Sequence, residues 1–200
     1  MERDTSANAL LTTLRAGGGQ MRQAQEMIGF DSTLLATEQS RRAEQRAQLV
    51  ATLAADIRPT DRPLARWLLT QEVAAHQAQD QDAGETLYTL VALLARFGQP
   101  EDALLIWQAR QANSQTQVGV DVEQMARAGV DHVRAYLIHL IQQTQQGDSA
   151  QREPAAQAVE DAREALAWLD EGAALGAFDD LPGYFAWADE RFGLYTSGPT

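Results

Sequence analysis

The stretch LARFGQPEDALLIW, Leu94 to Trp107, decides the fold. Leading into it, Leu87, Leu90, Val91, Leu94 and Phe97 recur at spacings of three and four, which places them on one face of a helix. Gly98 can take the left-handed backbone that stops that helix. Pro100 suits the first turn of the next, where its missing N–H is not needed. Glu101 and Asp102 then fall where negative charge complements the helix dipole, and Ala103, Leu104, Ile106 and Trp107 follow as an apolar run. The spacing predicts two antiparallel helices joined by GQP.

The helical pattern extends in both directions. Ala, Leu, Gln, Glu and Arg dominate, and no β-branched run alternates with period two, so the whole chain reads as all-α. A first helix is expected over Thr5 to Arg15, ended by Gly17, Gly18 and Gly19. No Lys-Ser or Lys-Thr follows those glycines and no strand precedes them, so they read as a flexible joint and not as a phosphate cradle. A second helical region is broken at GFDST, where Gly29 closes one helix and Asp31 or Ser32 caps the next. Ala43, Ala47, Val50, Ala54 and Ile57 then form one stripe. Arg41, Arg42 and Arg46 interleave with Glu38 and Glu44 and read as a solvated face.

RPTDRP interrupts the chain again, and Pro63 opens a helix capped by Thr60 or Asp61, with Leu64, Trp67, Leu68 and Val73 inward. This break suggests an N-terminal helical arm or subdomain over residues 1–58 and an acidic helical-hairpin domain over 59–200. Further on, Val130, Val133, Leu137, Ile138, Leu140 and Ile141 predict a helix central to the core. Past Pro154 a further helix runs to about Gly172, with Val159, Ala162, Leu166 and Leu169 inward.

Charge and composition exclude several classes of function. The chain has 200 residues, no cysteine and a net charge of -12, and all its 16 basic residues are arginine. Residues 1–66 hold 9 Arg against 8 acids, whereas 67–200 hold 7 Arg against 20 acids, giving +1 and -13. An acidic surface repels nucleic acid and anionic lipid and attracts basic partners. Thiolate metal sites and cysteine nucleophiles are ruled out. Glu72, His76 and Asp80 fall at i, i+4 and i+8, but the outer two lie about 12 Å apart along a helix and cannot close on one ion, so the column reads as a solvated face. His132 and His139, seven residues apart, are also too distant to share one. No cofactor or metal is expected. No run approaches the roughly 20 apolar residues that span a bilayer, so a cytoplasmic location is expected.

Thr86 to Gln111 resembles one tetratricopeptide repeat, through Leu87, Tyr88, Leu90, Leu94, Gly98, Ala103 and Trp107. Val91 and Arg110 stand where that family carries small residues. Gly176, Phe178, Leu181, Tyr184, Phe185 and Ala188 resemble the turn and second helix of the same motif. Gly98 and Gly176 are 78 residues apart, which is not a multiple of the roughly 34-residue period. The resemblance therefore implies an irregular stack of helical hairpins, or a helical bundle, and with it the binding of proteins or peptides. The general character of ALLARFGQPEDALLIWQAR is also similar to that of bacterial proteins to which no activity attaches.

The C-terminal region concentrates aromatics among acids. Tyr184 and Trp187 with Asp179, Asp180, Asp189 and Glu190 are the candidate partner-binding residues, able to take basic or aromatic side chains. The expected function is a non-enzymatic protein-interaction module, such as an adaptor, a chaperone or an immunity-type protein, facing a basic protein partner. The alternative is an enzyme whose dispersed carboxylate and His site lies in an inter-helical pocket. A near-neutral N-terminal region beside an acidic body also suggests self-association through the N-terminal helices.

Overall fold

Seven residues of the helix Glu85–Arg96 are buried, from Leu87 through Ala95. A helix that is apolar on nearly every side must be surrounded, and this one is the centre of the molecule. The computed structural model describes residues 2–16, 22, 26–78, 84–144 and 152–194. Among these the protein is all-helical. The elements are α1 (Glu2–Arg15), α2 (Ala36–Ala55), α3 (Arg62–Ala78), α4 (Glu85–Arg96), α5 (Ala103–Arg110), the short α6 (Ser114–Gly119) and α7 (Val122–Met125), α8 (Val130–Thr144), α9 (Arg152–Ala174) and α10 (Leu181–Arg191). Short 3-10 turns at Pro59–Asp61, Pro100–Asp102 and Ala126–Ala128 lead into or out of them. No helix among the described residues is long and apolar enough to cross a membrane.

The α4–α5 hairpin forms as its sequence requires. Gly98 has φ of 61°, Pro100 opens a turn that leads into α5, and Leu87, Leu90, Leu94, Ala103 and Trp107 are all buried. Around α4 pack α2, α3, α5 and α7, while α1 lies on α2 and α9 packs against α8 and α5. One core cluster runs from Leu11 on α1 to Leu194 beyond α10. The seam at 58/59 lies inside it: Leu11, Leu14, Leu49 and Leu53 join the same cluster as Leu68 and Leu90. Gly17 to Gly19 and Asp80 fall outside the described residues.

Buried Arg–Asp forks tie the helices together at two similar turns. In the first, Asp61 is 2% exposed and accepts from Arg15 of α1 through Nε at 2.9 Å and Nη2 at 2.6 Å, and from the Arg58 backbone N–H. In the second, Asp102 is 1% exposed and accepts from Arg62 of α3 through Nε and Nη2, both at 2.9 Å, and from Arg66. The planar guanidinium matches both oxygens of a carboxylate, which the point charge of lysine cannot do. That geometry gives the arginine-only composition a structural use.

Four local expectations are corrected. Arg46 and Glu72 are not solvated: they are 2% and 6% exposed and pair at 2.5 Å, because α2 turns the 46, 49, 50, 53 and 54 side chains toward the body. The buried stripe is thus rotated from the expected one, and Ala43 and Ala47 stay half-exposed. Asp31 does not cap α2; its Oδ1 accepts from the Thr33 N–H and hydroxyl, and Leu35 precedes the helix without a side-chain cap. Helix α8 is peripheral, with only Val133 and Leu137 buried and Ile138 39% exposed, because α4 already fills the centre.

Candidate functional site

Gly176, with φ of 76°, lies in the turn between α9 and α10. Asp180 caps α10 by accepting from the Gly183 N–H at 3.0 Å. Its inward side is small, with Ala188 fully buried, which allows close approach to the body. The opposite side presents Gly183, Ala186, Trp187 and Glu190, all exposed and spaced at three and four residues. Trp187 is 52% exposed, so much of the largest apolar side chain on the helix is open to water.

Three sets of contacts hold this helix in place. Tyr184 packs against Trp187 at 5.6 Å between centroids and 48° between planes, and against Phe185 at 5.8 Å, nearly edge-on. The Tyr184 hydroxyl donates to Asp121 at 2.8 Å and accepts from the Gln124 amide at 2.9 Å, so the brace reaches α7. Burial, followed by the charge and hydrogen bond of Asp121, pushes the Tyr184 phenol well above its ordinary range. It remains a neutral donor at any physiological pH. Burial also raises the Glu123 carboxyl, with the Asp121 charge adding to it.

Asp189 forms the second clamp. Arg127 grips it with both terminal nitrogens at 2.7 Å and lies 4.8 Å over the Phe185 ring, and Arg96 approaches it at 3.2 Å. The third contact is the Arg191–Glu85 pair at 2.8 Å, which joins the end of α10 to the start of α4.

The six candidate residues therefore divide by role. Asp189 and Tyr184 face inward and fix the helix. Asp180 caps it while remaining exposed. Asp179, Trp187 and Glu190 face water with no such bond to the body among the described residues. Arg127, Asp121 and Gln124, which tie the platform to the body, carry no signal in the sequence. Nothing in their spacing marks them, because each acts across a gap of 60 or more residues.

The histidines are dispersed. His76 lies 3.9 Å from Glu72, which Arg46 already holds, and burial keeps its imidazole below the ordinary range despite the Glu72 charge. His132 and His139 are exposed on α8, the former against the Ala128 carbonyl. Among the described residues no group of three or more His, Asp and Glu is placed to hold a metal ion. A second aromatic cluster is internal: Trp107 and Trp168 lie 5.5 Å apart, with the Arg110 guanidinium 4.6 Å over Trp168. Comparison with known protein families, with curated proteins and with solved structures finds no match to this chain.

Proposed function

We propose that the protein is a non-enzymatic interaction module that uses the outer face of α10 to hold a basic segment of a protein partner. The exposed, braced ring of Trp187 carries this reading. A large aromatic left half in water costs solubility, and the helix that carries it is already fixed to the body, which lowers the entropy that a partner would otherwise have to freeze out. Such rings serve as anchors at interfaces, and their faces attract guanidinium and ammonium groups.

Asp179, Asp180 and Glu190 on the same helix and its entry turn supply charge of the complementary sign, as does the excess of acids after Arg66. Ala186, small and exposed beside the ring, leaves room for a side chain to lie there. The likeness of the hairpins to tetratricopeptide repeats points to the same class of function. The apolar side of α1, with Ala7, Leu11 and Leu14, is covered within the chain. This leaves α10, in preference to the N-terminal helices, as the surface we assign to a partner. An adaptor, a chaperone or an immunity-type protein acting in the cytoplasm would use such a face.

The test is capture from cells that make the protein, with wild type and Trp187→Ala compared at low and moderate salt. The expected result is one stoichiometric protein held by wild type, released as salt rises, and lost from the variant. Equal retention of that protein by Trp187→Ala would remove α10 as the site.

A further inference from the structure

A cavity of about 260 Å³ opens between α2, α3 and the segment leading into α2, lined by Phe30, Ala36, Gln39, Ser40, Ala43, Arg46 and Ala75. Ala36, Gln39, Ser40, Ala43 and Arg46 climb one side of α2, so the cavity is elongated along that helix. Its exposed end is at Ala36 and Ser40, and its deep end is Arg46. The Phe30 wall is fixed by the bond from its backbone N–H to Gln71 at 2.9 Å.

Arg46 is the unusual element of this lining. It is 2% exposed, yet among the described residues its hydrogen bonds are two, from Nε to Glu72 at 2.5 Å and from Nη1 to the Ile28 carbonyl at 2.9 Å. A guanidinium offers five N–H donors, and Nη2 makes no hydrogen bond among the described residues although Arg46 lines the cavity. One further feature favours an anion there. The surrounding third of the chain, residues 1–66, is the part with a net charge of +1, so it lacks the acidic field that would repel an anion elsewhere.

We propose that this cavity binds a small carboxylic acid with a flat or branched apolar body, its carboxylate on Arg46 and its body against Phe30, Ala43 and Ala75. The volume suits such a molecule, since a 150 Å³ apolar cavity accommodates benzene. Glu72 holds Arg46 from the side away from the ligand and sets the guanidinium plane. The site is separate from α10 and does not depend on the partner-binding reading.

Benzoate is the first probe and benzamide, its neutral counterpart of the same shape, is the control, both titrated into the full chain and followed by amide chemical shifts. The expected result is saturable benzoate binding with shifts clustered at Phe30, along 36–46 and at Ala75. Benzamide should bind at least about tenfold more weakly, the difference of one charge-assisted contact. Ala43→Phe, which fills the cavity from its half-exposed side, should abolish binding without altering the circular dichroism spectrum. The volume-conserving pair Arg46→Met with Glu72→Met, which removes both charges together, should fold and lose the preference for benzoate over benzamide. No saturation up to about 10 mM benzoate, equal binding of the two probes by wild type, or a preference that survives the double substitution would each overturn the proposal.

Discussion

Asp102, at the end of the turn before α5, is 1% exposed and held by Arg62 and Arg66, whereas Asp179 and Asp180, at the entry to α10, stand in water. Both regions are acidic turns opening a helix, and both lie near aromatic side chains. What separates them is whether an arginine from another helix arrives. At Asp61, Asp102 and Asp189 it does, and the carboxylate becomes part of the framework. At Asp179 and Glu190 the charge remains turned outward. The protein therefore uses one residue type to lock its helices and to build its surface field, and exposure distinguishes the two uses.

Substitutions on the two sides of this divide should separate by size of effect. The largest loss is expected for Glu72→Leu, which strands the buried Arg46 charge: about 3 to 5 kcal/mol by urea unfolding. A loss below about 1 kcal/mol would show that water reaches the pair and that Arg46 belongs with the exposed group. Asp102→Ala comes next, at about 2 kcal/mol, reduced because Arg62 and Arg66 are partly exposed and can turn to solvent.

A pH effect follows at His76. Burial holds its folded-state pKa below the ordinary 6.5, so on acidification the unfolded chain takes up this proton first. Stability should fall as pH drops through about 6.5 and level off once the folded form is protonated too. His76→Phe should flatten that part of the profile, and an unchanged profile would assign the loss to carboxylates titrating lower down. The smallest effect on stability is expected at Trp187→Ala, within about 0.5 kcal/mol of wild type, although it should cost the partner.

Much of the fold was legible because the central hairpin obeys local rules. Leu87, Leu90, Leu94, Gly98 and Pro100 announce helix, stop and restart without help from the rest of the chain. Arg46 reads as surface because an arginine among Glu38, Arg41, Arg42 and Glu44 has the composition of a solvated face. Only Glu72, brought over from α3, explains its burial. Helix α8 differs in the opposite sense: its apolar run from Val130 to Ile141 reads as core, yet a peripheral position fully buries Val133 and Leu137 and covers Val130, Leu140 and Ile141 only in part. Periodicity reports that a face is apolar, not how much of it a neighbour covers.

The candidate surface was found by composition, since aromatics and acids crowd the last stretch of the chain. Its internal division was not visible there. Asp189 and Glu190 are adjacent in sequence and opposite in role, and the partners that decide it, Arg127 and Arg96, lie more than 60 residues away. The two Pro-x-Asp turns, Pro59–Asp61 and Pro100–Asp102, carried a signal that their repetition makes readable: each places a carboxylate where an incoming arginine can fork it.

The most direct measurement is to take Trp187→Ala and Asp102→Ala through urea unfolding and through partner capture side by side. Trp187→Ala should unfold with wild type and lose the partner, while Asp102→Ala should lose about 2 kcal/mol and still hold the partner under conditions where it is folded. A Trp187→Ala protein that is destabilised by a similar amount and keeps the partner would contradict this expectation, because the exposed ring would then belong to the framework.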